Sequence, residues 1–225
     1  MNDAPRKPHT DREYASHLDR IRDALSAMAG QVGGMLSKSM QALLQGDEAL
    51  AKEVIDADAA VDDLESFVDE QTVVTFARWQ PMASDLRMLT LALKIVTDLE
   101  RVGDLAVNIA ERVRHLRDAP LPWGWDLAND MAHIASDMLD DAMAAFLARD
   151  AERAQQVIER DDRVDGLYRR FFAEVWQGME NDPSIMTAGI DALSIAKWLE
   201  RCADHVTNIA EQVIFMARGE DVRHT

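Results

Sequence analysis

The chain contains the same fifteen-residue pattern twice, and this internal repeat is the feature that most restricts its fold. Residues 99–113 are LERVGDLAVNIAERV, and residues 199–213, 100 positions later, are LERCADHVTNIAEQV. A second pair, VIDADAAVDDL at 54–64 and VIERDDRVDGL at 157–167, recurs at an offset of 103. Two pairs at nearly the same offset predict that one structural unit has been duplicated, with the small change of offset absorbed in the loops.

Each copy of the unit is predicted to contain three α-helices. Only 6 prolines and 10 glycines interrupt 225 residues that are otherwise rich in strong helix formers. We predict helices at about 14–44, 47–77, 84–117, 127–148, 150–179 and 184–218. The strongest break is DAPLPWGW at 118–125, near the middle of the chain. The predicted fold class is all-α, with two tandem three-helix bundles related by internal duplication and domains at 1–118 and 126–225.

The third helix of each unit separates into an apolar stripe and a polar stripe when residues are placed at about 100° intervals. The predicted core positions are Met88, Leu91, Ile95, Leu99, Val102, Ala106, Ile109 and Val113, then Ile195, Leu199, Cys202, Val206, Ile209 and Val213. The opposite side carries Glu100, Asp104, Asn108 and Glu111, and in the second copy Glu200, Asp204, Asn208 and Glu211. A core needs only apolar periodicity, so the repetition of the polar residues points to a function.

The second helices add paired acids to this pattern. Asp58 and Asp62 are spaced i, i+4, as are Asp161 and Asp165. Like charges at this spacing destabilise a helix by a few tenths of a kcal/mol, and a hard cation bound by oxygen ligands between two helices would offset that repulsion. The alternative is a solvated acidic surface with ordinary salt bridges from nearby arginines. Repetition in both copies favours metal binding.

The overall charge and the absence of motifs exclude several classes of function. With 41 Asp and Glu against 24 Lys and Arg the formal net charge is -17, which disfavours nucleic acids and anionic lipids as partners. No run approaches the ~18 apolar residues of a transmembrane helix, and we expect a cytoplasmic protein without direct membrane insertion. Phosphate-binding glycine loops, nucleophile elbows and Glu-x-x-His pairs are missing, so we expect no enzyme activity.

The sequence also resembles a known family, the PhoU proteins, which are accessory proteins of the phosphate-specific transport system. The resemblance extends from about residue 20 to residue 224 and rests on RWQPMASDLRML at 78–89, on the two Glu-Arg-x-x-Asp segments and on the Asp-x-x-x-Asp pairs. It implies two tandem three-helix bundles, multinuclear iron or zinc clusters on the surface of some members, and a regulatory role without catalysis. Members restrain the high-affinity phosphate transporter and the phosphate-sensing histidine kinase when phosphate is plentiful.

The resemblance also implies specific metal ligands. The first site would contain Asp58, Asp62, Glu100 and Asp104, the second would contain Asp161, Asp165, Glu200 and Asp204, and Asn108 and Asn208 would be secondary ligands or orienting groups. The second copy departs from the family pattern, because Cys202 and Ala203 precede its aspartate and His205 follows it. We expect Cys202 to pack in the core, and His205 to be either an extra ligand for zinc or an exposed bystander.

Three functions remain open at this point. The first is a non-enzymatic adaptor, a homodimer that contacts the ATPase subunit of the phosphate transporter and the phosphate-sensing histidine kinase. The second is a metal-storing or carboxylate-bridged metal-binding helical protein, for which ligands should point into a bundle core. The third is a structural scaffold whose acidic faces are solvated. The helical phases place the acids on the outer side, which disfavours the second.

Overall fold

The computed structural model describes residues 8–117 and 125–218, with side chains described from residue 12, and these ranges are almost entirely helical. The helices are α1 (Pro8–Gln45), α2 (Glu48–Arg78), α3 (Ala83–Arg117), α4 (Asp126–Ala148), α5 (Ala151–Asn181) and α6 (Met186–Arg218). A single 3₁₀ turn, Pro183–Ile185, precedes α6, and no strand occurs in the described ranges. No helix there is long and apolar enough to cross a membrane. The all-α prediction is confirmed.

Helix α1 begins at Pro8, six residues before the predicted start, and this is the largest error in the predicted boundaries. Its first turns are held by residues distant in sequence. The Tyr14 hydroxyl donates a hydrogen bond to Asp85 at 3.0 Å, and the Tyr14 ring lies 5.8 Å from that of Trp79. Glu13 forms an ion pair with Arg78 at 3.1 Å. The local sequence lacks apolar periodicity, so these tertiary contacts could not be inferred from it.

The duplication extends to the turns that join the first two helices of each unit. The Asp47 amide donates to the Ala42 carbonyl at 2.9 Å, and the Asp150 amide donates to the Ala145 carbonyl at the same distance. Each aspartate then caps the following helix, because its carboxylate accepts hydrogen bonds from two backbone amides of the first turn. Both turns therefore use the same local chemistry, 103 residues apart.

The six helices form two layers. In the first layer the helices follow the order α2, α3, α6, α5, each in contact with its neighbours. The second layer consists of α1 and α4, which contact each other. Helix α1 packs on α2 and α3, and helix α4 packs on α5 and α6. The buried apolar residues of both halves form one continuous cluster. All fourteen predicted core positions are at most 4% exposed, and burial raises the pKa of the Cys202 thiol, as expected for a packing residue.

The two halves meet where α3 packs antiparallel against α6. The Lys94 ammonium donates to the Gln212 side-chain oxygen at 3.1 Å near one end, and Arg112 pairs with Asp191 at 3.3 Å near the other. The Arg112 guanidinium also lies over the Trp198 ring, 5.4 Å from its centroid. The repeated Glu-Arg-x-x-Asp segments therefore lie on equivalent helices, one in each half.

The turn after α4 provides a test of the duplicated cap. Arg149 has φ of 55°, in the left-handed region, where the equivalent turn has Gly46 with φ of 64°. A side chain in this region costs about 1–2 kcal/mol, and glycine loses more entropy on folding. We expect Arg149→Gly to raise the free energy of unfolding by roughly 0.5–1 kcal/mol relative to Arg149→Ala in chemical denaturation. Equal free energies of unfolding for the two variants would show that a side chain causes no backbone strain at position 149.

Candidate metal sites on two acidic helix faces

The predicted ligands lie along the open grooves of the four-helix layer. We define the first acidic face as Asp58, Asp62, Glu65, Glu100 and Asp104, between α2 and α3. The second acidic face, between α5 and α6, consists of Asp161, Asp165, Glu200 and Asp204. The glutamates of α3 and α6 are not fully solvated, since their side chains are 19% and 14% exposed. The structure therefore brings all eight predicted carboxylates into two clusters.

Mutual repulsion is evident on the first acidic face. Burial raises the pKa of Asp58, and the negative charges of Asp62 and Asp104 raise it further. The pKa of Glu100 is also raised, first by burial and then by Asp104. Arg101 partly compensates, with its Nε 3.3 Å from Glu100 and its Nη1 3.1 Å from Asp104. Such salt bridges from a nearby arginine are what the alternative of a solvated acidic surface expects.

The second acidic face is more strongly perturbed. Burial raises the pKa of Asp161 to about 6, with further contributions from Asp204, Asp165 and Glu200. Burial followed by the charge of Glu200 raises the pKa of Asp204. Lys197 forms an ion pair with Glu200 one turn away. Arg169 also pairs with Asp165 at 3.6 Å. The carboxylates of each face therefore repel one another, and the neighbouring basic side chains offset this repulsion only in part.

Glu65 belongs to the first acidic face but was missed in the sequence analysis. Its pKa is raised by burial and by Asp69, and its charge in turn raises the pKa of Glu100. The signal was present in the sequence, because Asp58, Asp62, Glu65 and Asp69 follow i, i+4, i+7, i+11 spacing along one side of α2. The equivalent position of α5 is Tyr168, so this acid lies outside the repeat.

The two asparagines lie at the edges of the clusters. Asn108 is half-buried and Asn208 is exposed, each one helical turn beyond the aspartate of its face. In the parts of the chain that the structure describes, neither amide forms a hydrogen bond with the carboxylates. Their assignment as ligands or orienting groups stays a prediction.

The donor atoms of the two faces suit a hard cation. All are carboxylate oxygens, which favour hard metals, whereas structural zinc sites are usually built from cysteine and histidine. Among the described side chains, no three of His, Cys, Asp and Glu are arranged to hold a metal ion as they stand. Binding would require the Arg101 and Lys197 side chains to move aside and the carboxylates to converge. The residue types fit a cation, and the side chains would have to rearrange around it.

His205 is not exposed, and it binds a residue outside the acidic faces. Its Nδ1 lies 2.9 Å from the Asp98 carboxylate of α3, and the two side chains are 19% and 17% exposed. The expectation of an exposed bystander was therefore wrong, because α6 turns this residue toward the α3 interface. Of the two tryptophans at the central break, Trp125 packs 5.7 Å from Phe171, while Trp123 lies outside the described residues.

Comparison with known proteins identifies the family. A family model described as the PhoU domain matches residues 25–113 and again residues 128–213. The chain belongs to the PhoU family. Two matches in tandem agree with the duplication, and each matched range falls within one of the predicted domains. The domain limits 1–118 and 126–225 themselves stay a prediction.

Curated relatives and solved structures match this PhoU-family chain over most of its length. It is 37% identical to a phosphate-specific transport system accessory protein PhoU homolog from Rhizobium meliloti (strain 1021), over 94% of this chain and 90% of the relative. The crystal structure of PhoU from Pseudomonas aeruginosa has a TM-score of 0.89 and 34% identity, covering 92% of this chain and all of that one. A PhoU structure from Streptococcus pneumoniae has a TM-score of 0.86 and 27% identity, covering 93% of this chain and 99% of that one.

Because the pKa of Asp161 is raised, we predict that replacing this residue by a neutral one stabilises the fold, and that the gain depends on pH. A carboxyl group whose pKa is higher in the folded than in the unfolded state destabilises the fold progressively as pH rises from about 4 through 6. In chelator-stripped protein we expect Asp161→Asn to raise the free energy of unfolding by about 1 kcal/mol at pH 7.5 and by nearly nothing at pH 4. Denaturant titrations at both pH values measure this difference.

Asp58→Asn is the matched control for that measurement. Asp58 occupies the position of the first half that is equivalent to Asp161, and its pKa is raised less. We expect a smaller gain with the same pH dependence. A loss of stability in Asp161→Asn at pH 7.5, or a gain that persists at pH 4, would contradict the electrostatic account.

Proposed function

We propose that this PhoU-family chain is a non-enzymatic negative regulator of phosphate uptake and of the phosphate-starvation response. In this role it acts in the cytoplasm, as a homodimer, as an adaptor between the ATPase subunit of the phosphate ABC transporter and the phosphate-sensing histidine kinase. The observation that carries the proposal is similarity over both halves to proteins named as phosphate-specific transport system accessory proteins. Accessory proteins of this kind act by contact with other proteins, so binding surfaces matter more than a catalytic site.

We further propose that the two acidic faces bind multinuclear metal clusters, with iron favoured over zinc by the oxygen donors. Support comes from the clustering of carboxylates in both halves and from the raised pKa values of Asp58, Glu100 and Asp161. Side chains that repel one another in the metal-free protein gain most from a bound cation.

Metal storage is the alternative function. Carboxylate-bridged metalloproteins of the helical-bundle type hold their ligands inside the bundle, projecting from facing helices. The acids of this chain lie instead along open grooves, where a bound cluster would be accessible to another protein. The location of the acids therefore favours a regulatory role for the metal over storage.

A reporter gene controlled by phosphate starvation tests the regulatory role. Deletion of the chain should leave the reporter active in phosphate-rich medium, and the intact chain should restore repression. We expect Asp104→Asn combined with Asp204→Asn to restore repression poorly, because one carboxylate is neutralised on each acidic face. Failure of the intact chain to restore repression would reject the regulatory function.

A control variant distinguishes the effect of changing the acidic faces from the effect of lowering the net negative charge. Asp56 and Glu159 occupy equivalent exposed positions of α2 and α5, outside the acidic faces. Asp56→Asn with Glu159→Gln removes the same number of charges and should restore repression fully. If both double variants fail equally, net charge rather than the acidic faces is responsible.

A further inference from the structure

An exposed apolar groove lies between α5 and α6, at the end of these helices away from the second acidic face. We call it the α5–α6 groove, and its lining residues are Trp176, Met179, Glu180, Pro183, Met186 and Ile190. Its volume is about 410 Å³, within the range of sites that bury ligand side chains. Trp176 is 51% exposed, Met186 50% and Ile190 56%. Large apolar side chains exposed together in this way mark interaction sites more often than isolated ones do.

A row of aromatic rings connects the groove to the second acidic face. The rings of Phe172 and Trp176 are stacked, with centroids 6.2 Å apart, and Tyr168 lies 6.2 Å from Phe172 on its other side. Lys197 lies over the Tyr168 ring at 5.6 Å and pairs with Glu200 of the second acidic face. Trp176 and Asp165 are eleven residues apart, about 16 Å along the helix, so groove, rings and acids form one surface.

The first half lacks this aromatic surface, although it is a copy of the same three-helix unit. The positions equivalent to Tyr168, Phe172 and Trp176 are Glu65, Asp69 and Val73, and the position equivalent to Ile190 is Thr90. These side chains are therefore not required by the three-helix unit, since the first copy folds without them. The exposed rings of Phe172 and Trp176, which the equivalent positions of the first copy lack, indicate a role in binding.

The charges around the groove indicate the chemistry of what binds there. Glu180 is the one charged residue among the lining residues, and the exposed Asp182 follows it by two residues, directly before the lining residue Pro183. Hydrogen bonds from Ser184 lower the pKa of Asp182, so this carboxylate is ionised at neutral pH. The second acidic face at the far end has four carboxylates, of which Asp165 pairs with Arg169 and Glu200 with Lys197, so its net charge is also negative. With a formal net charge of -17, a second copy of the chain would be repelled from this surface.

We propose that the α5–α6 groove is the docking site for a basic amphipathic helix of a partner protein. The apolar side of that helix fills the groove and covers the Phe172 and Trp176 rings, while lysine or arginine residues reach Glu180 and, about four turns along α5, Asp165. This is recognition of a helix by its i, i+3, i+4, i+7 anchors. The inference rests on the adaptor function proposed above and locates one of its contact surfaces.

The test measures peptide binding to the full chain by fluorescence anisotropy, in EDTA so that the acidic face carries only its own charge. The probe is a labelled helical peptide of roughly 18 residues, with leucine on one side and lysine elsewhere. One comparison peptide has the same composition in scrambled order, and another has glutamate in place of lysine. We expect the probe to bind at least about tenfold more tightly than either comparison peptide.

Matched variants locate the binding site. Trp176→Ala with Ile190→Ala should weaken binding of the probe by about tenfold, because it removes the exposed anchors of the groove. Val73→Ala with Thr90→Ala changes the equivalent exposed positions of the first half and should leave binding within about twofold. Circular dichroism melting checks that each variant is folded, as expected for exposed positions.

Several results would overturn the inference. Equal binding of the scrambled peptide, or equal weakening by both variant pairs, would exclude a specific helix site in the groove. Sedimentation can also show that the chain forms a dimer and that Trp176→Ala with Ile190→Ala dissociates it. That result would assign the groove to a second copy of the chain. A failure of the peptide experiment leaves the reporter result unaffected, whereas a reporter that stays repressed in the deletion strain rejects the proposed function whatever the peptide does.

Discussion

The antiparallel packing of α3 against α6 organises both the common core and the two acidic faces. It joins two three-helix units into one continuous core, and it directs the opposite sides of the same two helices toward the open grooves. The polar contacts across it are not repeated. Asp98 meets His205, whereas the equivalent residues are Trp198 and Leu105. The duplication is therefore preserved in the backbone and in the acidic residues, while the interface has diverged.

The carboxylates of the two acidic faces repel one another in the folded chain. Burial and neighbouring charges raise the pKa values of Asp58, Glu100, Asp161 and Asp204, and all four residues belong to repeated pairs. Local conflicts of this kind are expected where function, rather than folding, determines the residue. A surface selected only for solubility would disperse these charges. The second face differs from the first in its aromatic extension, so the two halves have distinct surfaces.

Much of this architecture could be predicted because helical periodicity and internal repetition are local signals. The core stripe from Met88 to Val113 and the clustering of Glu100 with Asp104 follow from spacing alone. Contacts between distant segments could not be predicted in the same way. The start of α1 depends on Trp79 and Asp85, and the burial of His205 depends on Asp98, which lies 107 residues away. Such partners become apparent only once the helices are packed.

We propose that the two acidic faces are cation sites, and elemental analysis of protein purified without chelators can decide this. We expect bound metal in the intact chain, roughly half as much in Asp104→Asn or Asp204→Asn alone, and almost none in the double variant, with helicity unchanged in all of them. An intact chain that carries no metal, or a double variant that retains the full content, would contradict it.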